Sequence, residues 1–215
     1  MNRTTLTLAL TLAILAGIMG IEHGIGEVLE GNRPTEGVFI LSWPDAAFFE
    51  ILSGEPAMTI VPNYLITGIL AIIFSGIFLA VLLRYRLVRK SIPILFGLLV
   101  LMLLTGGGFG PPILGTIAVL IALKGNSQLR TWRKLPLKLH LVFRKLWPLV
   151  FGLCLAGWLM MFPGAALVSY FAGVDSALIM VIPTLVAFGL IPITLVLGFS
   201  RDILLREQEP KTLQD

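Results

Sequence analysis

Long apolar runs separated by short polar segments fill most of this 215-residue sequence. Hydrophobic residues make up 57% of the chain and charged residues only 13%, which lies outside the usual range of soluble globular domains. A bilayer core about 30 Å thick takes about 20 apolar residues per helix, so the spans use nearly the whole length. The sequence therefore predicts one all-α integral membrane domain over residues 1–215, with any chemistry inside the membrane or at its two faces.

Apolar windows predict six transmembrane helices, at about residues 4–26, 61–83, 90–106, 111–124, 146–171 and 177–200. Between the third and the fourth lies the run Gly106-Gly107-Gly108-Phe109-Gly110-Pro111-Pro112. Because glycine and proline break helices and form turns, this run predicts a helical hairpin. The first span begins like a secretory signal but has no small-residue cleavage site, so we expect it to stay uncleaved.

Basic residues indicate the orientation, because Lys and Arg collect in short cytoplasmic segments. A hairpin that turns on the outer side places 15 of the 16 basic residues inside and leaves only Arg33 outside. Eight of the twelve acidic residues fall outside or at the outer interface. The sequence thus predicts cytoplasmic N and C termini in a prokaryotic plasma membrane. The pI near 9.5 reflects this topology and does not indicate nucleic-acid binding.

The outer segment, residues 27–60, is the longest connection and should carry structure of its own. Ser42-Trp43-Pro44-Asp45 has the pattern of a helix start, with Ser as N-cap, Pro in the first turn and an acid three residues after the Ser. Gly54 suits the end of such a helix. We therefore expect a short helix in the outer interface, either as a lid over the helix ends or as a substrate gate.

The inner loop, residues 124–145, contains seven basic residues and no acidic one, interleaved with Trp132 and several leucines. Such a segment is expected to lie on the anionic lipids of the inner leaflet. The residues expected to contact those lipids are Arg130, Arg133, Lys134 and Lys138. Positive-inside topology alone explains the cluster most simply, and a specific anionic-lipid or phosphate site is the sharper alternative.

The most informative polar residues lie near the outer end of the first helix. His23, Glu27 and Glu30 share one face at spacings of four and seven residues, beside a stripe formed by Gly17, Gly20 and Gly24. Small residues let a neighbouring helix approach, so this polar face should point into the protein. Ionisable side chains at membrane depth are candidates for function. The predicted solute, ion or proton site comprises Glu22, His23, Glu27, Glu30, Gly107 and Gly108. The alternative is a structural hydrogen-bonded cluster that meets Arg33.

The sequence predicts no metal site, no cofactor and no set of catalytic residues. Cys154 is the lone cysteine, so neither an internal disulfide nor a cysteine-based metal site can form. One His and two Glu on a single helix are an incomplete zinc ligand set, and His140 falls at the opposite membrane face. The leading hypothesis is a protein, acting as an oligomer, that binds or transports a small solute or ion through an outward-facing polar cavity. The alternatives are a non-enzymatic scaffold subunit of a membrane complex and a lipid-directed enzyme.

Overall fold

The computed structural model describes residues 2–42, 54–125, 127–173 and 178–208, and most of them are helical. In chain order the elements are α1 (Arg3–Leu29), β1 (Phe39–Ser42), β2 (Glu55–Met58), α2 (Tyr64–Tyr85), α3 (Ile92–Leu104), α4 (Gly110–Leu123), α5 (Leu137–Leu159), α6 (Ala165–Ala172) and α7 (Leu178–Gln208). A 3₁₀ turn at Trp132–Lys134 precedes α5, and a wide π turn at Met160–Gly164 joins α5 to α6. The predicted all-α class is confirmed, with one small two-stranded ribbon added.

Four helices in the described ranges have the length and apolar composition of membrane spans: Arg3–Leu29, Tyr64–Tyr85, Leu137–Gly164 and Leu178–Glu207. The helices α3 and α4 are also apolar, but they have only 13 and 14 residues. At 1.5 Å per residue each is about 20 Å long, which is shorter than the hydrocarbon core of about 30 Å. They form a hairpin in which the Leu99 side chain lies against Gly115. The predicted break in the helix is therefore confirmed.

Two helices extend beyond the predicted membrane spans. The helix α5 begins at Leu137 and not near residue 146, so the predicted basic loop ends at Pro136. A helix that leaves the membrane keeps its internal hydrogen bonds, and long basic side chains reach the polar side without needing a loop. The helix α7 continues past Ser200 to Gln208, because its residues Ile203 and Leu204 are buried and prolong the packed face.

The predicted fifth span is also interrupted. Its helical hydrogen bonding is broken at Met160–Gly164, where Phe162 has extended backbone angles of φ −149° and ψ 126°. Pro163 lies in this segment, and proline has no N–H to donate to the preceding turn. Pro183 and Pro192, in contrast, lie within the continuous α7.

The strands β1 and β2 form an antiparallel ribbon that the sequence did not predict. Its register pairs Phe39 with Met58 and Ser42 with Glu55. The predicted interfacial helix falls on residues 43–53, which lie outside the described ranges. Just after β2 the chain caps α3: the Gly106 N–H donates to the Met58 carbonyl at 2.9 Å, and the Ile60 N–H donates to the Leu104 carbonyl at 3.0 Å. The ribbon thus supplies backbone partners where a helix ends among apolar side chains.

The chain divides into two compact units. The terminal unit comprises Met1–Ala9, Ile121–Ala165 and Leu178–Asp215, and the hairpin unit comprises Leu10–Leu120 and Ala166–Ala177. In the terminal unit α5 packs tightly on α7, where a Cβ at Gly157 would lie 2.9 Å from the Ala187 nitrogen. In the hairpin unit α1 crosses α2 at Gly24 and Gly68, where a Cβ on either glycine would lie 2.7 or 2.6 Å from the other's carbonyl oxygen. The predicted close approach along the glycine stripe is confirmed.

Hydrogen bonds from two other parts of the terminal unit hold the start of the chain. The Asn2 N–H donates to the Gly125 carbonyl at 2.8 Å. The Asp202 carboxylate accepts from the backbone N–H groups of Thr4 and Thr5 at 2.7 and 2.9 Å, and from the Thr5 hydroxyl at 2.7 Å. Since α1 has no acidic residue in its first turn, Asp202 acts as its N-terminal cap from a distant part of the chain. The start of α1, the turn after α4 and the last turns of α7 therefore lie together.

Candidate functional site

The helix α1 buries two ionisable side chains inside the hairpin unit. Glu27 is 0% exposed and His23 is 1% exposed. They are four residues apart and therefore lie one turn apart on the same helix face. The predicted inward orientation is confirmed for both residues.

The break between α3 and α4 forms the opposite wall. A methyl group at Gly106 would overlap the Glu27 carboxylate, and one at Gly108 would overlap the His23 imidazole. Both glycines also have a positive φ, +83° at Gly106 and +72° at Gly108. Glycine therefore meets two demands here, because it fits the left-handed backbone and leaves room for the side chains of α1.

The two carboxylate oxygens of Glu27 have different surroundings. Oε1 accepts a hydrogen bond from the Ser42 hydroxyl, at the end of β1, at 3.1 Å. Oε2 is buried and has no hydrogen-bond partner among the described residues. On the α2 side, a Cβ at Gly68 would lie 2.9 Å from the Glu27 Cβ. The carboxyl group is thus enclosed by glycine backbone and receives a single hydroxyl donor from the described part of the chain.

A polar pocket of about 370 Å³ lies near this site, at the predicted outer end of the hairpin unit. It is lined by Arg33, Pro34, Glu36, Phe39, Ile40, Leu41 and Tyr64. The Arg33 guanidinium lies over the Tyr64 ring at 4.9 Å and forms an ion pair with Glu30. The wall residue Ile40 and the Glu27 donor Ser42 are both buried, on the same face of β1, about 7 Å apart along the strand. The pocket and the buried carboxyl group are therefore neighbours along one strand.

The other predicted site residues lie elsewhere. The Glu30 side chain is only 11% exposed, and it pairs with the more exposed Arg33, as the structural alternative expected. The Gly107 N–H donates to the Met102 carbonyl at 2.8 Å, so it caps α3 and is not available to a ligand. Glu22 is half-buried, one residue before His23. Of the two predicted glycines, Gly108 alone borders the buried pair.

The predicted lipid-contacting residues lie in the terminal unit. Arg130, Arg133, Lys134 and Lys138 are all exposed, in the 3₁₀ turn, beside it, or in the first turn of α5. His140 follows in the same helix but is buried, with 4% exposure, although the sequence indicated an interfacial position. Exposure of the four basic residues is compatible with lipid contact, which stays a prediction.

Sequence reasoning missed two contributors to the site. Ser42 was interpreted as a helix cap, yet it ends a strand and donates to Glu27. Gly68 was not noticed, whereas Gly106 belongs to the break that was expected to lie beside the polar face of α1. The signal for Gly106 was present, because a Gly-rich break opposite a buried polar face needs positions without a Cβ. No local signal marks Ser42 or Gly68, since their role depends on packing between distant segments.

Within the described ranges, no group of three or more His, Cys, Asp and Glu side chains is arranged to hold a metal ion. Comparisons with protein-family models, with curated proteins and with solved structures found no match to this chain. The function must therefore be argued from the site itself.

Proposed function

We propose that this chain is a polytopic membrane protein that binds and moves a small cation, a proton or a monovalent metal ion, through its site at Glu27 and His23. The observation that carries the proposal is the buried Glu27 carboxylate, whose Oε2 has no donor among the described residues. An isolated carboxylate in apolar surroundings is strongly unfavourable unless it takes up a proton or pairs with a cation. A positive charge at this site, from a proton or a bound cation, would therefore stabilise the Glu27 carboxylate.

The Arg33 guanidinium does not supply that positive charge. Arg33 pairs with Glu30 and lies over the Tyr64 ring. His23, one turn before Glu27, offers a second group that can hold or pass a proton. The glycine wall at Gly106 and Gly108 keeps the space in front of both side chains free of methyl groups. These features favour a site for a small ion over one for a bulky solute.

The proposed topology places this site towards the outer face, with both termini in the cytoplasm. The hydrogen bonds that join Asn2 to Gly125, and Thr4 to Asp202, support a common side for the N terminus, the turn after α4 and the end of α7. These three points can lie on one side only if the chain crosses the membrane an even number of times between them. The six-helix interpretation meets this condition, with four crossings before the turn after α4 and two after it. The short α3 and α4 then form a hairpin that enters from the cytoplasmic side, with its Gly-rich tip below the outer surface. The polar pocket at Arg33 and Tyr64 provides the outer entrance.

The scaffold alternative is less well supported. Gly17, Gly20 and Gly24 pack against α2 and α3 of the same chain, at Leu79, Ser75, Met102 and Gly68. This stripe is therefore used inside the hairpin unit and is not a free surface for a partner helix. The enzyme alternative has only the Glu27, His23 and Ser42 cluster, without a second set of polar groups in the described site.

The test uses two measurements on purified protein in vesicles of phosphatidylethanolamine and phosphatidylglycerol. Dicyclohexylcarbodiimide reacts with protonated carboxyl groups in apolar surroundings, so it should label Glu27, and Na⁺ or K⁺ should protect Glu27 if either is the ligand. Proton flux under an imposed potential is followed with an internal pH dye, and Na⁺ flux with an ion-sensitive dye. Glu27→Gln should abolish both the labelling and the flux. Glu30→Gln is the matched control, because its carboxylate belongs to the Arg33 ion pair, and it should retain both.

A Glu27→Gln protein that folds and carries the same flux as the wild type would refute the proposal. If Glu27→Gln alters only thermal stability and neither protein conducts any cation, the cluster is structural and the proposal is wrong.

A further inference from the structure

A second pocket, of about 340 Å³, lies in the terminal unit and plays no part in the proposed cation site. Its lining residues come from the start of α1, the first half of α5 and the end of α7: Arg3, Thr4, Thr7, Trp147, Arg201 and Leu205. Two guanidinium groups, two hydroxyl-bearing residues and an indole thus share one cavity. None of these residues belongs to the exposed basic cluster that the sequence indicated for lipid contact.

Trp147 forms the buried side of this pocket. It is 7% exposed, and its indole Nε1–H is buried without a hydrogen-bond partner among the described residues. Gly198 makes room for that group, because a Cβ there would lie 3.1 Å from Nε1. The Arg201 guanidinium lies over the indole ring at 4.6 Å. This stacking holds the guanidinium plane and leaves its edge, where the N–H groups are, available for an acceptor.

The adjacent acid does not neutralise the pocket by pairing with Arg201. Both oxygens of Asp202 accept hydrogen bonds from the first turn of α1, from Thr4 and Thr5. Its negative charge is therefore directed at the N-terminal end of the α1 dipole. The Arg201 guanidinium therefore brings a positive charge to the pocket, and phosphate oxygens suit such a group because they accept paired N–H bonds.

The position of the pocket along its helices indicates which phosphate it meets. In α7 the apolar sequence ends at Ser200 and charged residues begin at Arg201, and in α1 the apolar sequence begins just after Arg3. The cavity therefore lies where the apolar helix surface meets the charged ends, which is the depth of lipid phosphates. Leu205 adds an apolar wall on which the start of an acyl chain can pack.

We infer that this pocket binds the phosphate group of an anionic phospholipid of the cytoplasmic leaflet, at the Arg201 guanidinium that lies over Trp147. The inference rests on the proposed topology only for the choice of leaflet, and it is independent of the cation site. A bound lipid at this place would join the start of α1 to α5 and α7.

The experiment measures lipid that stays bound to the purified full-length protein in mild detergent. Protein is stripped of lipid, incubated with phosphatidylglycerol or with phosphatidylcholine, and analysed by native mass spectrometry. The wild type should retain phosphatidylglycerol in preference to phosphatidylcholine. Arg201→Gln should weaken phosphatidylglycerol retention about tenfold or more, because charge-assisted hydrogen bonds are lost. Arg89→Gln is the control: it removes the same charge from an exposed position in the hairpin unit, outside both this pocket and the exposed basic cluster, and retention should be unchanged.

A separate arm distinguishes lipid from free phosphate. Inorganic phosphate at millimolar concentration should not displace phosphatidylglycerol, because the acyl chain adds packing that phosphate lacks. Displacement at that concentration, or equal retention by Arg201→Gln and the wild type, would overturn the inference. If Arg201→Gln fails to fold, Arg201→Lys and Trp147→Leu replace it. The first keeps the charge without the paired N–H bonds, the second removes the ring over which the Arg201 guanidinium lies, and each should lower retention severalfold. Retention unchanged in both would equally overturn the inference.

Discussion

The contact between Gly106 and Glu27 provides the sharpest test of how the site is built. Gly106→Ala should destabilise the protein for two separate reasons. An alanine at the observed φ of +83° is in the left-handed region, at a cost of about 1–2 kcal/mol. The added methyl group would also overlap the Glu27 carboxylate, and forced overpacking of this kind costs about 1–3 kcal/mol. The free energy of unfolding should therefore fall by about 2–5 kcal/mol in total.

The cost of overpacking depends on the Glu27 side chain, whereas the cost of the left-handed backbone does not. Glu27→Ala removes the overlapping carboxylate, so the double variant should recover about 1–3 kcal/mol relative to the sum of the two single changes. The assay is reversible unfolding in mixed micelles of dodecyl sulfate, followed by circular dichroism on all four members of the cycle.

Gly97 supplies the matched control. It lies within α3, and a Cβ there would meet no atom within 4 Å. Gly97→Ala should therefore leave stability unchanged or raise it by up to about 1 kcal/mol, through helix propensity. Strict additivity of Gly106→Ala and Glu27→Ala would refute the contact on which the candidate site is built.

Three further outcomes are expected. Asp202→Ala should lower the free energy of unfolding by about 2–4 kcal/mol, since α1 loses three hydrogen bonds to its cap, and a loss below about 0.5 kcal/mol would contradict this role. In a Cys154→Ser background, a cysteine at Gly37 should react with an impermeant maleimide from outside intact cells and one at Gln128 only after lysis, and the reverse pattern would overturn the topology. Joint neutralisation of Arg130, Arg133, Lys134 and Lys138 should weaken binding to anionic vesicles and cause some molecules to insert with inverted topology. If binding and topology both stay unchanged, these residues neither contact anionic lipid nor determine the orientation.

Helix positions and the inward polar face could be predicted because both follow from the local spacing of apolar and polar residues. Apolar windows located α1, α2 and α7 to within a few residues at their starts, and Gly106 to Pro112 marked the hairpin break. His23 and Glu27 were expected to face the protein interior because they share a helix face beside the glycine stripe. This expectation did not depend on which helix packs against that stripe. The buried pair is therefore a property of the α1 sequence itself.

The partners of those side chains follow only from tertiary structure. Ser42 reaches Glu27 through a four-residue strand, and a strand that short inside a mainly apolar segment has no distinctive pattern until its partner is known. Asp202 caps α1 across 198 residues of sequence. Arg201 and Trp147 likewise meet only because α5 and α7 pack together. Sequence alone determined which faces are apolar and which residues are costly to bury. Packing between distant segments decided which groups compensate that cost, because hydrogen bonds and van der Waals contacts act only at short range in space.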